Sequence, residues 1–355
     1  MNSHYGCCHP IQCILPPHVV EAIKLRGDEE QRKMAEALAK QAEATRESRQ
    51  EATPPDSFLA APVLAMGVAP AVNREVYDGK RRATLPGTLV RAEGEDPVDD
   101  PVVNQVYDLT GDVFNLYFDI YRRNSLDGQG STIVSTVHHR RRYNNAFWNG
   151  TQMAYGDGDG TLFQTFVEAS VVGHELSHAV VQYSGGLVYR DQAGALNESF
   201  ADVFGSLSKQ YTLRQTAAEA DWLVGQGILG PDINGVALRS MKAPGTAYDD
   251  STLGKDPQPY HMDFYLNTSS DNGGVHINSG IPNHAFYLVS QYLGGYAWEK
   301  AGQIWYDTMQ VINNPLATFN DWADKTVEMA RERFGAGSME TVLTRRAWKL
   351  VGVDL

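Results

Sequence analysis

The segment that constrains this chain most is His174-Glu175-Leu176-Ser177-His178, which lies inside an apolar run. On a helix of about 3.6 residues per turn, histidines four positions apart project from one face, one turn apart. That spacing suits two nitrogen ligands on one Zn²⁺, and it points Glu175 toward the open side of the metal, where a water molecule binds. The segment therefore predicts a helix that carries two ligands of a zinc site.

A second segment with helical periodicity, Gly194–Ser206, offers the third protein ligand that a zinc site with one open position needs. Glu198 lies twenty positions after His178, which leaves room for one helix to end and a second helix to face it. Asp202 follows Glu198 by four positions and is placed to accept a hydrogen bond from a zinc-bound histidine. A lone acidic residue on a helix is usually solvated, so the prediction of zinc depends on both segments together.

A third segment, Ser270–Gly280, begins like a loop and leads into an apolar helical run. Hydrolysis of an amide forms an oxyanion that needs hydrogen-bond donors beyond the metal. His276 is a candidate donor, and Asp271 is placed to orient its imidazole and raise its pKa. Tyr189 is a second candidate through its phenol, although composition alone favours a packed aromatic side chain at that position.

These residues resemble the thermolysin-like neutral zinc metalloendopeptidases. The matching segments keep one order over residues 73–355, and they are Leu85–Arg91, Tyr143–Gly150, Met153–Gly160, His174–His178, Gly194–Asp202, Ala237–Met241 and Asp271–Gly280. The resemblance implies an α+β fold of two lobes, with a β-rich lobe over residues 73–165 and a helical lobe over residues 166–355. The zinc helix would lie between the lobes and form the floor of the cleft.

The resemblance also implies a role for each matching residue of the reaction centre. One Zn²⁺ per chain would be bound by His174, His178 and Glu198. Glu175 would be the general base and proton shuttle. The oxyanion would be stabilised by Tyr189 and His276, with Asp271 behind His276. The ligands would be supported from outside by Asp202 and Asn197.

Two further groups of residues match the positions that bind substrate in this family. The substrate backbone would be held by Asn145, Ala146, Trp148 and Arg239. Arg239 suits that role because its guanidinium presents a fixed fork of donors. An apolar specificity pocket would be formed by Leu162, Val171 and Leu238. The resemblance therefore implies an endopeptidase that cleaves on the amino side of large hydrophobic residues.

Two other classes of protein share parts of this pattern. An inactive zinc-binding or interaction protein on the same scaffold usually lacks the general base or a ligand, whereas Glu175 and all three ligands are present here. An aminopeptidase would need a group that anchors a free substrate amine, and we find no Gly-x-Met-Glu-Asn type of segment for that role. The sequence therefore favours an active endopeptidase.

The resemblance breaks down at the calcium sites. Thermolysin binds a pair of calcium ions through clustered carboxylates, but four of the acidic positions are occupied here by Ser170, Lys209, Leu223 and Gln226. Only Asp221 keeps an acid, and adjacent calcium ions need several negative charges. We therefore predict that the double calcium site is absent. Asp157 and Asp159 are candidates for a single calcium ion elsewhere, although such Gly-Asp runs more often form turns.

The head of the chain, residues 1–60, is predicted to be a propeptide, with its boundary between residues 45 and 72. Its Leu15-Pro16-Pro17-His18 segment is similar to the Pro-Pro motif of the compact propeptide in the protealysin branch of the family. We expect residues 14–23 to block the cleft and the enzyme to remove its own head. The head shows neither a secretory signal nor a membrane span, so we expect synthesis in the cytoplasm, with export by a non-classical route left open.

Two segments of the head have their own local patterns. Residues 28–51 favour a helix by composition, and the apolar face of that helix is thin, with Met34, Leu38 and Ala42 as its members. This thin face indicates a solvated helix. Residues 52–62 contain several prolines, which disfavour helix in the residues before them, and are predicted to form an extended linker.

All three cysteines, Cys7, Cys8 and Cys13, lie in the head, so the catalytic part has no disulfide framework. One hypothesis is a cysteine switch, in which a thiolate of the head takes the fourth position of the zinc and keeps the precursor silent. The alternative is a terminus that is flexible or binds metal adventitiously. Replacing all three cysteines with serine distinguishes the two, because only a switch predicts an active precursor.

The chain of 355 residues has a formal net charge of −13 and no basic stripe. This charge argues against nucleic acid and anionic membrane surfaces as partners. The run Arg140–Arg142 is too short to reverse it and is interpreted as a solvated loop before an edge strand at Tyr143. We expect a monomer whose partners are protein or peptide substrates and its own propeptide.

Overall fold

The computed structural model describes residues 12–50 and 71–355, with side chains described for residues 13–40 and 71–355. Cys7, Cys8 and the predicted linker over residues 52–62 lie outside the described residues. No helix in the described ranges is long and apolar enough to cross a membrane.

A six-stranded mixed sheet forms the core of the first lobe. Its strands are β1 (Gln12–Cys13), β2 (Arg74–Asp78), β3 (Thr88–Ala92), β4 (Ile133–Val137), β5 (Ala146–Trp148) and β6 (Met153–Tyr155). The spatial order is β1-β5-β6-β4-β2-β3. Strand β4 runs parallel to β2 and β6, and the other pairs are antiparallel. Strand β1 comes from the head of the chain, so the head completes one edge of the sheet.

The first lobe also contains a helix that the strand-rich interpretation of residues 73–165 did not include. Helix α3 (Pro101–Asn115) continues through a π-helical turn at Leu116–Ile120. Its start is encoded locally, because Pro101 takes the first helical position and the Asp100 carboxylate accepts a hydrogen bond from Val102 N at 2.9 Å. The apolar residues recur at helical spacing and are buried against the sheet.

The second lobe is helical, as expected. Its helices are α4 (Ala169–Gln182), α5 (Asp191–Leu213), α6 (Asp271–Asn278), α7 (Gly280–Leu293), α8 (Ala301–Val311), α9 (Phe319–Phe334) and α10 (Met339–Leu350). Two short hairpins, β7 (Leu223–Val224) with β8 (Arg239–Ser240) and β9 (Asp249–Asp250) with β10 (Gly254–Lys255), lie between α5 and α6. Helix α9 begins with a reciprocal capping box between Thr318 and Asp321.

Helices α4 and α5 approach each other closely because glycine lies at their contact. A Cβ atom on Gly173 would lie 2.9 Å from Gly205 Cα, and one on Gly205 would lie 2.9 Å from His174 N. Any larger residue would push the helices apart. This contact holds α5 directly opposite the histidine face of α4.

The head forms two helices, α1 (Pro17–Arg26) and α2 (Glu29–Gln50), after strand β1. Ile14, Leu15 and Val19 are at most 1% exposed within the main hydrophobic core. The prediction that α2 is a solvated helix is wrong in its described part, since Ala35 and Leu38 are buried. The thin apolar face packs on the main hydrophobic core. Local composition does not reveal that contact.

Candidate metal centre and substrate cleft

Helices α4 and α5 bring three side chains together in the protein interior. His174 Nε2 and His178 Nε2 are 3.0 Å apart, and they lie 3.6 Å and 3.4 Å from the two carboxylate oxygens of Glu198. All three side chains are at most 1% exposed. Among the described residues, this is the one cluster of three or more such side chains that could hold a metal ion.

The hydrogen bonds around the cluster show that it suits a cation. His174 Nδ1 lies 2.8 Å from Asp202 Oδ1, and His178 Nδ1 lies 2.9 Å from Asn197 Oδ1. Because both partners are acceptors, each Nδ1 carries the hydrogen and each neutral imidazole presents a lone pair at Nε2. Two lone pairs and a carboxylate therefore converge on one point. Two imidazoles and a carboxylate are a ligand set of catalytic zinc.

Asp202 is the centre of a larger buried network. Its carboxylate accepts hydrogen bonds from Arg239 Nε and Nη2, both at 2.8 Å, and from Asn283 Nδ2 at 2.9 Å. Burial opposes the negative charge, but the Arg239 guanidinium and His174 outweigh it and hold the pKa of Asp202 below its ordinary value. The carboxylate therefore stays ionised and fixes the orientation of His174.

Glu175 faces the cluster from the neighbouring position on α4. Its side chain is completely buried, and Oε2 accepts a hydrogen bond from Trp148 N at 3.0 Å. Burial, reinforced by the charge of Glu198, raises the pKa of Glu175 well above its ordinary value. Its Oε1 is buried and has no hydrogen-bond partner among the described residues. The carboxylate is thus placed to exchange a proton with a molecule beside the cluster.

Tyr189 and His276 form the opposite wall. Tyr189 donates a short hydrogen bond to Glu198 and lies 3.1 Å from His276 Nε2, so it is more than a packed aromatic side chain. His276 Nδ1 lies 2.7 Å from Asp271 Oδ1. Burial opposes a charge on His276, but the carboxylates of Asp271 and Glu198 outweigh it and raise the pKa of His276 to about 9. The imidazole is therefore a donor at both nitrogens at neutral pH.

The end of strand β1 and the two residues after it, Ile14 and Leu15, lie in the cleft beside these groups. Ile14 N donates to Ala146 O at 3.3 Å, and Ile14 O accepts from Arg239 Nη1 at 3.0 Å. Leu15 N donates to Asn145 Oδ1 at 3.1 Å. The structure thus brings Asn145, Ala146 and Arg239 together around one extended backbone.

The carbonyl of Cys13 points toward His276. His276 Nε2 lies 3.2 Å from Cys13 O, so the protonated imidazole donates to that carbonyl. The Cys13 thiol lies 3.8 Å from Leu15 O and does not belong to the three-residue cluster that could hold a metal. The structure therefore gives no support to Cys13 as the ligand of a cysteine switch.

The remaining predicted site residues surround the cleft. Leu162, Val171 and Leu238 are at most 4% exposed and belong to the same hydrophobic core as Ile14. Trp148 Nε1 donates to Gln182 Oε1 at 3.0 Å, which fixes the indole against α4. Leu162, Val171 and Leu238 are therefore part of the buried core beside the cleft, and Trp148 is fixed against α4.

At the positions aligned with the double calcium site, the ammonium of Lys209 forms hydrogen bonds with the neighbouring side chains. Lys209 Nζ lies 2.7 Å from Asp221 Oδ2 and 2.9 Å from Gln226 Oε1. The Ser170 hydroxyl accepts from Gly225 N at 2.9 Å and donates to the carboxylate of Glu168. Each polar group at these positions thus has a protein partner.

The two candidate residues for a single calcium ion have other partners. Asp159 Oδ1 accepts from the backbone of Thr161 and Leu162, both at 2.8 Å, as in a capped turn. Asp157 Oδ1 lies 2.6 Å from His138 Nδ1. These contacts support the alternative of a turn for this segment.

The sequence interpretation did not include Asn283 as a site residue. It also did not include the direct bond between Arg239 and Asp202. Asn283 lies on α7, 81 positions from the carboxylate that it contacts. An asparagine in an apolar helix carries no local signal of such a contact, so only the three-dimensional structure identifies it.

Comparisons with known proteins agree with this geometry. Residues 74–182 match the family model described as thermolysin metallopeptidase, catalytic domain, and residues 185–353 match thermolysin metallopeptidase, alpha-helical domain. An extracellular metalloprotease of Pectobacterium carotovorum subsp. carotovorum is 45% identical over 348 residues, which cover 98% of this chain and 97% of that protein.

Two further relatives extend the match. Protease PrtS of Photorhabdus sp. (strain Az29) is 48% identical over 294 residues, covering 81% of this chain and 78% of that protein. The solved structure of the precursor of protealysin, a metalloproteinase from Serratia proteamaculans, has a TM-score of 0.86 and 45% identity, and covers 97% of this chain and 100% of its own. The fold and the site together define a zinc-dependent protease. The chain belongs to the thermolysin metallopeptidase family.

Proposed function

We propose that this chain is the zymogen of an endopeptidase and that its head, residues 1–60 with a boundary between 45 and 72, is an intramolecular inhibitor. The observation that carries this proposal is the position of Ile14 and Leu15, directly after β1, whose backbone is bound by Ala146, Asn145 and Arg239 as a substrate would be. The similarity to a protealysin precursor is consistent with it.

The register of the head supports a proposal for the position of the reacting bond. The Cys13 carbonyl faces His276, and the N–H and carbonyl of Ile14 are held by Ala146 and Arg239. The Cys13–Ile14 peptide bond therefore takes the place of the bond to be cleaved. Ile14 takes the place of the residue after that bond, which supports a preference for cleavage on the amino side of large hydrophobic residues. Leu162, Val171 and Leu238 would form the pocket for that side chain.

Each group in the cleft has a proposed role in hydrolysis. A zinc ion held by His174, His178 and Glu198 would lower the pKa of a bound water and polarise the substrate carbonyl. Glu175 would accept the proton and deliver it to the leaving amine, because its buried Oε1 has no hydrogen-bond partner among the described residues. Tyr189 and His276 would donate to the developing oxyanion.

Supporting residues complete the mechanism. Asp271 would keep His276 charged, while Asp202 and Asn197 would hold the two histidine ligands in one tautomer. Arg239 would both hold the substrate carbonyl and neutralise Asp202.

Glu175→Ala tests the reaction and the self-processing together. The purified variant is expected to stay full-length, to cleave no peptide and to retain zinc by metal analysis, because the three ligands are unchanged. The matched control is Glu299→Ala at an exposed position, which should mature and cleave like the wild type. A Glu175→Ala chain that matures when purified alone would refute self-processing, and wild-type hydrolysis by it would refute the assigned mechanism.

A further inference from the structure

Two neighbouring turns concentrate positive charge in a chain whose formal net charge is −13. They are Lys80–Arg82 and Arg140–Arg142, called the basic turns below. A backbone hydrogen bond from Arg140 N to Arg82 O at 3.0 Å joins them, and Arg81 N donates at 2.9 Å to His138 O, just before the second turn. Arg81, Arg140 and Arg142 have positive φ angles of 57°, 57° and 52°, so the turns are held in a conformation that L-residues rarely adopt.

The basic turns lie at the end of the cleft that receives the chain after the cleaved bond. A cavity of about 310 Å³ between the head and the first lobe is lined by residues that include Leu15, Met34, Arg81, Arg140 and Arg142. Leu15 is the second residue after the Cys13–Ile14 bond. The side chain that follows Ile14 in the cleft therefore already borders the basic turns.

The register of the sheet extends this relationship. Gln12 pairs with Trp148 and Cys13 with Phe147 in an antiparallel ladder. Extending that course beyond β5 brings the third to fifth residues after the reacting bond alongside Asn144, Tyr143 and then the turn at Arg142, which is not itself part of the strand. The head leaves this course at Pro16, where α1 begins. A substrate that stays extended would pass the basic turns with these three residues.

The head itself places an acid at the basic turns. The carboxylate of Glu30, in the first turn of α2, forms an ion pair with Arg142, and both side chains remain partly exposed. Within the lobe, Asp157 lies 3.9 Å from Arg81 Nε and pairs more closely with His138, and Asp78 accepts from the backbone of Lys80. When the head is removed, Arg142 loses the Glu30 carboxylate.

We propose that the basic turns form a substrate subsite for acidic side chains at the third to fifth residues after the cleaved bond, and that Glu30 occupies this subsite in the precursor. The inference rests on the proposed endopeptidase function and adds a second element of specificity to the apolar pocket. The Arg140–Arg142 run is then a substrate-binding loop and not merely a solvated one.

Competition between two peptides in one reaction tests the subsite. Both peptides carry Leu directly after the cleaved bond, and they differ only in having three Glu or three Gln at the third to fifth positions. The full chain is incubated with zinc, and products are quantified by mass spectrometry. Because the ratio of the two kcat/KM values does not depend on how much enzyme is active, no separate preparation of the processed form is needed. We expect the Glu peptide to be favoured by roughly threefold to tenfold at low salt, with the preference shrinking at high salt.

Three variants assign the preference to these residues. Arg140→Gln/Arg142→Gln is expected to lower the ratio toward one, while Arg140→Lys/Arg142→Lys should keep most of it, since charge and not backbone structure is the cause. The matched control, Arg345→Gln on an exposed face of α10, should leave the ratio unchanged. Thermal unfolding midpoints check that all variants are folded.

The outcomes separate the two levels of inference. Cleavage of both peptides at equal rates by the wild type, or a preference that is undiminished in the double Gln variant, would overturn the subsite and leave the endopeptidase function intact. Cleavage of neither peptide would overturn the proposed function, and the subsite with it.

Discussion

At the scale of single residues, His138 links the start of α3 to the loop after β6. Its two ring nitrogens lie 2.6 Å from Asp157 Oδ1 and 2.8 Å from Asp100 Oδ2. The hydrogen bond to Asp157, opposed by partial burial and supported by Asp100, raises the pKa of His138 from 6.5 to about 9. Because Asp100 also caps α3, the charged imidazole connects a helix terminus to a neighbouring loop.

This link predicts a pH dependence of stability. A pKa that is higher in the folded state means stabilisation that is complete below pH 6.5 and is lost as the pH rises through about 9. We expect His138→Gln to lower the free energy of unfolding by on the order of 1–2 kcal/mol at pH 6, after discounting for solvent screening. At pH 10 the difference should be much smaller. Urea unfolding of the Glu175→Ala chain with and without the second substitution measures this, and a difference that does not change with pH would contradict the role of charge.

The residues of the metal cluster show how far local sequence predicts a site. His174, Glu175 and His178 are related by helical spacing alone, so their arrangement is readable from the sequence. Glu198 and Asp202 follow from a second helical segment. The role of Asn283 is not encoded nearby, because α7 reaches Asp202 only after the whole second lobe has folded.

At the scale of elements, the contact between α4 and α5 sets the distance from the histidines to Glu198. Gly205→Ala would place a methyl group against the backbone of α4 near His174. We expect it to lower the free energy of unfolding by about 1–3 kcal/mol, since overpacking moves the helices apart, and to weaken zinc binding. Urea unfolding and zinc titration of the Glu175→Ala chain measure both effects.

A second glycine provides the control for this substitution. Gly337→Ala adds a methyl group at a position with no other atom within 4 Å and no positive φ. It should change stability by about 1 kcal/mol or less and leave zinc binding unchanged. Equal effects of the two substitutions would mean that close approach of α4 and α5 is not what positions the ligands.

The elements themselves were predicted unevenly, for physical reasons. Helices α8, α9 and α10 carry apolar residues at helical spacing, and they lie in the lobe that was expected to be helical. Helix α3 was missed because its surroundings are rich in β-branched residues and turns. Helix α2 was predicted at the right place. Its burial depends on contact with the main hydrophobic core, which the composition of the helix alone does not predict.

At the scale of the whole molecule, the head, the sheet and the helical lobe meet at one cleft. The two-lobed fold was expected from the family resemblance, and the family models and the protealysin precursor confirm it. The backbone contacts of the head could not be derived from its sequence, because they depend on β5, Arg239 and His276 being assembled first. The expectation that residues 14–23 lie at the cleft is met at Ile14, whose backbone is bound by Ala146 and Arg239.

The ion content of the molecule remains a prediction with a direct test. We expect one zinc ion and no pair of calcium ions per chain, because Lys209 bonds with the remaining acid at the aligned site. Metal analysis of the purified protein, with thermal unfolding in calcium and in a calcium-selective chelator, measures this. The unfolding midpoint should be the same in both. Two tightly bound calcium ions would contradict the prediction.

The Lys209–Asp221 pair has a consequence for where such an enzyme can work. A dissociable ion stabilises a fold only in proportion to the logarithm of its free concentration relative to its dissociation constant. An ammonium on a side chain is present at the same occupancy in every medium, and Lys209 is nearly buried at 9% side-chain exposure. The positive charge at this position is therefore independent of mass action, so its contribution does not vary with the mineral content of the surroundings.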